Sequence, residues 1–329
     1  MGTSPPRVLR AWSIVAMVAG ASPAHAESGP ADYPVKPVRL VAPVAPGGGL
    51  DLITRTAAQS LSSALGQSVI VDNRPGGGTV IAMDIVAKAV PDGYTLFSGT
   101  DTFMIVGALK RVSYDVTKAF EPVVRMTSQP AVVVVPPSLP VHSIKELVAY
   151  AKAKPDALAF GSAGIGTNGH LGLVRFNALA DVRIVHIPYK GSAPAMLDII
   201  AGQIHMVFAS TIAATPYMKS GRLKALAVTG LKRVESMPEV PTVDEAGVRG
   251  FKMTNSFNIL APAGTPAGIL RRVNDAVGTA MRTPEMRKRL TADGSEPADA
   301  HTPDQFKAEI AKEFIEVVKQ VAQMDIKAY

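Results

Sequence analysis

The chain has 329 residues, of which 47% are hydrophobic and 19% are charged, so it can bury a large core and is not intrinsically disordered. The absence of cysteine excludes a disulfide scaffold, a thiolate metal site, a cysteine nucleophile and a lipidated cysteine anchor. The net charge of +7 is mild and scattered, which argues against nucleic acid as a partner. A single core stops growing near ~250–300 residues, so the length predicts two domains.

The first 26 residues have the layout of a secretory signal peptide. Arg7 and Arg10 form a basic start, an almost wholly apolar run covers 11–21, and an Ala-His-Ala cleavage pattern ends at Ala26. The alternative, a membrane anchor, needs about 20 apolar residues, and this run is shorter. We therefore expect cleavage after Ala26 and a mature protein that is soluble in an exported compartment, because no later segment is a long apolar span.

Beyond the leader, short β-rich runs alternate with helical stretches, which predicts βαβ units and a mostly parallel sheet. The predicted strands are 38–44, 69–72, 95–98, 132–135, 157–161, 183–187, 204–208, 224–229 and 257–261. The predicted helices are 51–65, 79–89, 144–154, 169–179, 193–201, 266–281, 284–292 and 303–323. The pattern restarts after 132–135, so we expect two α/β lobes joined by strands, an arrangement typical of a hinged cleft.

Hydroxyl side chains mark several helix starts. Ser143 and Glu146 are spaced for a capping box. Thr265, Thr283 and Thr302 each precede a proline, so each is predicted to be the N-cap of a helix whose first residue is proline.

The segment 45–51 (Ala-Pro-Gly-Gly-Gly-Leu-Asp) joins a predicted strand to a predicted helix. Its glycines leave backbone amides uncovered, and the helix start adds unpaired N–H groups with a partial positive charge. Together they predict an anion site without a basic side chain. The alternative is a plain turn and cap, in which Asp51 complements the helix dipole.

A second glycine-rich junction covers 161–170 (Gly-Ser-Ala-Gly-Ile-Gly-Thr-Asn-Gly-His) and contains a G-x-G-x-x-G pattern. A dinucleotide site would need an acidic residue about 20 positions on, but the next strand leads to Lys190. We predict instead a second anion-binding helix start. The added hydrogen-bonding groups are Ser162, Thr167 and Asn168. His170 is either a ligand contact or a structural histidine.

Signals for catalysis are weak. The sequence has no G-x-x-x-x-G-K-[ST] loop, no H-E-x-x-H, no G-x-S-x-G and no histidines at metal-ligand spacing, so we predict no enzyme, no cofactor and no metal. Lys190 and Arg74 follow strands and have two open interpretations each. Lys190 either pairs with a carboxylate or is a solvated lysine, and Arg74 either reaches the cleft or forms a surface ion pair.

Over essentially the whole mature chain, the sequence closely resembles the Bug-type periplasmic substrate-binding proteins of the tripartite tricarboxylate transporters. The matching segments are 33–37 (Tyr-Pro-Val-Lys-Pro), 45–51, 73–76 (Asn-Arg-Pro-Gly), 91–96 (Pro-Asp-Gly-Tyr-Thr-Leu), 188–195 (Pro-Tyr-Lys-Gly-Ser-Ala-Pro-Ala), 225–229 (Ala-Leu-Ala-Val-Thr), 240–247 (Val-Pro-Thr-Val-Asp-Glu-Ala-Gly) and 260–266 (Leu-Ala-Pro-Ala-Gly-Thr-Pro). Each segment alone is weak, but their order behind a signal peptide is specific.

The resemblance implies an α/β Venus-flytrap fold, type II-like, whose two lobes close on a carboxylate across a hinged cleft. The first lobe would comprise 27–128 and 252–329, and the second 129–251. The implied ligand-binding residues are Ala45, Pro46, Gly47, Gly48, Asp51, Ser98, Thr100, Ser162, Gly164, Gly166, Thr167, His170, Ala209 and Ser210.

The implied function is that of a soluble receptor, expected to be a monomer, that delivers a small carboxylate to membrane transporter subunits. Alternatives are a carboxylate sensor that presents its ligand to a signalling receptor and, from another class, an exported α/β enzyme. Three departures from the family matter. Ala209 stands where many members carry an acid, which puts amino-acid ligands in doubt, and Ser256 stands where a tryptophan is frequent, which predicts a wider cleft wall. The stretch after Thr102 reads Val-Gly-Ala-Leu-Lys at 106–110 in place of the usual Asn-Pro-x-Leu-Tyr pattern, which predicts a changed cleft rim.

Overall fold

The computed structural model describes residues 1–2, 32–292 and 295–323. Most of the predicted signal peptide, including its cleavage site, lies outside these residues. The strands are β1 (Val38–Ala42), β2 (Val69–Asn73), β3 (Thr95–Thr100), β4 (Phe120–Val135), β5 (Ala159–Ser162), β6 (Val185–Pro188), β7 (Met206–Ser210), β8 (Lys224–Val228), β9 (Thr254–Pro262) and β10 (Glu296–Pro297).

The helices are α1 (Gly49–Leu65), α2 (Val80–Ala87), α3 (Thr102–Ala108), α4 (Val116–Ala119), α5 (Ile144–Ala153), α6 (Asn168–Ala180), α7 (Ser192–Ile200), α8 (Thr211–Lys219), α9 (Ala267–Met281), α10 (Pro284–Ala292) and α11 (Pro303–Ala322). Among the described residues, none of these helices combines the length and the apolar composition needed to cross a membrane.

The long strand β4 joins two halves of one mixed sheet, whose main strand order is β2-β1-β3-β9-β4-β7-β5-β6. Its residues 120–130 pair with β9, whereas 131–135 pair with β7 and β8. The chain therefore passes from the first lobe to the second along β4 and returns along β9. The exact lobe limits at 128/129 and 251/252 stay a prediction.

The expectation of a mostly parallel sheet was wrong. Parallel pairs are found between β1, β2 and β3 and between β5, β6 and β7, but every pairing of β4 and β9 is antiparallel. Because these two strands connect the lobes in opposite directions, they must run antiparallel to each other. The βαβ units predicted from the sequence are confined to the outer parts of each lobe.

Each lobe has apolar side chains on both faces of its half of the sheet. In the first lobe, Leu40 packs with α1 and α9 while its neighbour Val41 packs with α2, α3 and α11. In the second lobe, Val133 faces α5 and α6 while Val132 faces α7. The run 132–135 is thus buried on both faces, as its continuous β-branched sequence predicted.

The helix caps follow the predicted pattern with two corrections. Thr302 forms a complete capping box with Gln305. Ser143 accepts from the backbone of Glu146, but the Glu146 carboxylate bonds the amide of His142 instead of completing the box. Thr265 is not an N-cap, because its hydroxyl donates to the Pro262 carbonyl and the helix begins two residues later, at Ala267.

Candidate ligand-binding site

A cavity of about 100 Å³, which we call the central cavity, lies between the two lobes. The first lobe lines it with Pro43, Val44, Gly49, Leu50, Thr79, Thr100 and Thr102. The second lobe contributes Phe160, Gly161, Ser162, Ala163, Thr167, Asn168, Gly169, Ser192, Ala195, Val207, Phe208 and Ser210, and Met253, Asn255 and Phe257 lie where the chain returns. Pockets for drug-sized molecules measure about 300–1,000 Å³, so this cavity fits a smaller ligand.

The lining contains no charged side chain among the described residues. It contains instead the starts of four helices, represented by Gly49 of α1, Asn168 of α6, Ser192 of α7 and the α8 N-cap Ser210. The first amides of a helix have no partner within the helix, and each helix start carries a partial positive charge of about half a unit. The cavity is therefore electropositive without holding a base, which suits a small anion.

Two hydroxyl groups in the cavity are arranged to donate. Thr102 Oγ1 accepts from Thr100 Oγ1 at 2.9 Å and from the Asn168 amide at 3.3 Å, which occupies both of its lone pairs. Ser210 Oγ accepts from Gln129 Nε2 at 3.0 Å. Their own hydrogens remain for an acceptor in the cavity. Because Thr102 belongs to the first lobe and Ser210 to the second, an anion between them would contact both lobes.

Behind Ser162 lie two stacked histidines. Ser162 Oγ is 2.6 Å from His186 Nε2, and the rings of His186 and His170 stack with centroids 4.0 Å apart. Burial, with a smaller contribution from His170, lowers the pKa of His186 to about 4, and burial also lowers the pKa of His170. Both rings are therefore neutral at neutral pH. No described carboxylate bonds His186, so the pair lacks the orienting acid of a Ser-His-Asp triad.

The Asp51 side chain does not line the central cavity. It stabilises the glycine-rich segment 45–51 through hydrogen bonds. Its carboxylate accepts from the Gly47 amide at 3.0 Å, from Asn73 Nδ2 at 2.9 Å and from Arg55 Nε at 2.9 Å. Burial alone would raise the pKa of Asp51, but these hydrogen bonds outweigh it and hold the pKa below its usual range. The loop conformation thus depends on this carboxylate, and the Gly47 amide is already used.

The two lobes contact each other across the cavity. The Ala45 amide donates to the Lys190 carbonyl at 3.1 Å, and Arg111 Nη1 donates to the Ile165 carbonyl at 2.5 Å. A Cβ atom at Gly49 would lie 2.5 Å from Ser210 Cβ. The glycine at this position is therefore required by the close approach of the second lobe.

Thr79 is a strained residue in the cavity wall. Its φ of +89° is unusual for a β-branched residue, and its side chain is buried. Backbone strain of this kind costs on the order of 1–3 kcal/mol and is concentrated at functional sites.

Of the residues predicted for the site, Thr100, Ser162, Thr167 and Ser210 line the central cavity. The others are close to the lining but outside it: Ala45, Pro46, Gly47, Gly48, Asp51, Ser98, Gly164, Gly166, His170 and Ala209. Ala209 is buried opposite Val132 of β4. The ligand roles of all these residues stay predictions.

Several lining residues were missed, among them Thr79, Thr102, Ser192 and Asn255. Ser192 follows the predicted strand 183–187 at a helix start, and that signal could have found it.

The two basic residues with open interpretations lie outside the cavity lining. Lys190 is exposed. Arg74 forms an ion pair with Asp72 at 2.9 Å, which agrees with the second interpretation of Arg74, a surface ion pair. No group of three His, Asp or Glu side chains within the described ranges is placed to hold a metal ion.

The fold and the cavity define a two-lobed α/β binding protein of the periplasmic type. Residues 53–323 match the model of the TctC family, described as the tripartite tricarboxylate transporter family receptor. The chain belongs to this family. It is 38% identical over 261 residues to a UPF0065 protein of Pseudomonas sp. strain P51, covering 78% of this chain and 77% of that protein. It is 34% identical over 311 residues to BugT of Bordetella pertussis, covering 93% and 94%.

Solved structures agree with this assignment. The periplasmic binding protein BugD has a TM-score of 0.85 at 32% identity, covering 89% of this chain and 99% of BugD. An R. palustris protein solved with adipate has a TM-score of 0.82 at 34% identity, covering 88% and 98%. MatC from Rhodopseudomonas palustris, solved with bound malate, has a TM-score of 0.83 at 29% identity, covering 88% and 100%.

Proposed function

We propose that this protein is a periplasmic receptor that binds a small organic carboxylate in the central cavity and delivers it to the membrane subunits of a tripartite tricarboxylate-type transporter. The observation that carries the proposal is the composition of the cavity. Helix starts and donor hydroxyls surround it, and none of the described residues that line it has a charged side chain. A carboxylate supplies the charge that such a lining lacks. The adipate and malate in two related structures support this ligand class.

Binding and closure are coupled in this proposal. The chain acts as a monomer in the periplasm after removal of its leader at Ala26, and the lobes 27–128 with 252–329 and 129–251 move about β4 and β9. A ligand held by Thr102 of one lobe and Ser210 of the other stabilises the closed form, because affinity depends on the contacts that only the closed form provides. The closed receptor then presents one surface to the transporter, and no chemical step on the ligand is required.

The ligand class is tested by titration calorimetry on the mature protein, unfolded and refolded to remove bound ligand. The panel contains monocarboxylates, dicarboxylates, tricarboxylates, aromatic acids, amino acids, sugars and nucleotides. We expect heat of binding only from carboxylates that carry no ammonium group. Binding of sugars or nucleotides alone would refute the proposal.

The transport role needs a separate experiment in cells. Deletion of this chain is expected to abolish uptake of the labelled carboxylate that binds in vitro, and complementation with the wild-type chain is expected to restore it. A strain that keeps uptake but loses a transcriptional response to the same acid would show a sensor instead.

A further inference from the structure

The segment 76–79, which we call the glycine turn, lies between β2 and α2 and ends at the cavity residue Thr79. All four residues have positive φ angles: +119° at Gly76, +59° at Gly77, +58° at Gly78 and +89° at Thr79. The Thr79 amide closes the turn by donating to the Gly76 carbonyl at 3.2 Å. Glycine adopts positive φ without strain, whereas a β-branched residue does not. The strain of the glycine turn is therefore concentrated at Thr79.

The Thr79 hydroxyl forms no hydrogen bond with any residue that the structure describes. Thr79 is the N-cap of α2, and a threonine at this position usually accepts from an amide in the first turn of the helix. Here the side chain forms no such capping bond. The hydroxyl is thus not used to stabilise the helix.

This unpaired hydroxyl can be reached from the central cavity. Thr79 is only 6% exposed, and it lines the central cavity. Within the described ranges, the only fully enclosed side-chain nitrogen or oxygen without a hydrogen bond is Thr127 Oγ1. The Thr79 hydroxyl therefore keeps some accessible surface, and a molecule in the cavity can supply the missing partner.

The glycine turn also contacts the second lobe. A Cβ atom at Gly78 would overlap the Ile165 carbonyl oxygen, and a Cβ atom at Gly164 would lie 3.3 Å from the Gly78 Cα atom. Thr79 thus belongs to the first lobe but follows a residue that packs directly against the second. A ligand that bonds to Thr79 is held beside the boundary where the lobes meet.

Two features of Thr79 are unfavourable for folding. Its backbone is strained, and its hydroxyl is largely desolvated without a hydrogen bond. No contact within the described protein explains why a hydroxyl stands at this position. Strained residues of this kind are concentrated at functional sites, where the surrounding structure maintains them.

We propose that Thr79 is a ligand-binding residue whose hydroxyl donates to a carboxylate oxygen in the central cavity, and that its strained backbone holds the hydroxyl in the position this bond requires. The inference rests on the proposed function and adds a third donor hydroxyl to those of Thr102 and Ser210. Unlike theirs, the Thr79 hydroxyl has no bond to described protein groups. Its removal therefore breaks only the bond to the ligand.

The test is Thr79→Val, which keeps the β-branched shape and removes the hydroxyl. Calorimetric titrations use acetate, propionate, succinate, citrate and benzoate as probes. For each acid that binds the wild-type protein, the dissociation constant is expected to rise about tenfold or more. The urea midpoint of the ligand-free variant is expected to stay unchanged or to rise, because no hydrogen bond of the protein is lost. Thr79→Ser keeps the hydroxyl and is expected to retain most of the affinity.

Thr127→Val is the matched control, because it makes the same chemical change at an unpaired hydroxyl outside the cavity lining. It is expected to bind the acids as the wild-type protein does. The strain is tested by the thermal unfolding of ligand-free Thr79→Gly and Thr79→Ala. Glycine is expected to give the higher midpoint, the reverse of the usual order, because only glycine adopts positive φ freely.

The outcomes separate this inference from the proposed function. Equal dissociation constants for the wild-type protein and Thr79→Val, or an equal loss of affinity in Thr127→Val, would overturn the role of the Thr79 hydroxyl while the proposed function stands. A higher unfolding midpoint for Thr79→Ala than for Thr79→Gly would overturn the role of the strained backbone. Failure of every acid to bind the wild-type protein would overturn both the inference and the proposed function.

Discussion

The hydrogen bond from Arg111 should stabilise the closed form of the protein, in which the two lobes contact each other. The Arg111 guanidinium crosses from the first lobe to the Ile165 carbonyl of the second lobe at 2.5 Å, and it does not line the central cavity. A hydrogen bond from a charged donor contributes about 1.5–3 kcal/mol, and less for a half-buried side chain such as this one. Replacing Arg111 by Met should therefore cost the closed state about 1–2 kcal/mol.

Because the bond joins the two lobes, opening of the lobes would break it, so the cost should be seen in ligand binding and not in the folding of the free protein. Calorimetric titration of Arg111→Met should show a dissociation constant about 5- to 30-fold higher than that of the wild-type protein. The thermal unfolding of the ligand-free variant should match the wild-type protein. Small-angle X-ray scattering should show a smaller contraction on addition of a fixed amount of ligand.

Two variants distinguish the loss of the Arg111 hydrogen bond from the loss of a positive charge. Arg111→Lys keeps the positive charge but loses the guanidinium geometry, so it should lose most of the affinity. Arg183→Met removes one charge from an exposed ion pair with Asp156 within the second lobe, so it should bind as the wild-type protein does. An unchanged dissociation constant in Arg111→Met, or an equal loss of ligand affinity in Arg183→Met, would refute this role of the Arg111 hydrogen bond.

Three further outcomes are expected. Thr102→Val removes a donor hydroxyl with little change in shape and should weaken carboxylate binding about tenfold or more; calorimetry that shows no loss would contradict the role of the hydroxyl. Gln129→Met leaves Ser295 and Ser210 without their buried partner and should lower the free energy of unfolding by about 1–3 kcal/mol, measured by urea denaturation. Since the pKa of His186 is lowered from 6.5 to about 4, the unfolded chain binds that proton first, so stability should fall as the pH drops through this interval, and less steeply in His186→Gln.

Much of the fold was predictable because its signals are local. The alternation of strands and helices, the buried run 132–135 and the N-cap at Thr302 depend on neighbouring residues, and the structure confirms them. The first part of β4 was missed because Pro122 and Pro130 interrupt it, and prolines argue against a central strand. The pairing with β9 accommodates Pro122 through an irregularity in register between 122 and 124, and Pro130 lies in the last pair of this ladder, opposite Thr254.

Of the site, the sequence allowed only the positions of helix starts to be predicted. Glycine-rich junctions locate the starts of α1 and α6, but they do not show which amides are already used, as the Gly47 amide is by Asp51. The contact of Ser162 with His186 depends on the pairing of β5 with β6, which no local pattern reveals.

The most direct test of the central claim compares one small acid with its own amide. Both molecules have nearly the same shape, but only the acid carries the charge that the helix starts and the hydroxyls of Thr102 and Ser210 would stabilise. With charge-assisted hydrogen bonds of about 1.5–3 kcal/mol each, the acid should bind at least about tenfold more tightly than the amide. Equal dissociation constants for the two would show that the cavity does not recognise a carboxylate, and would contradict the account.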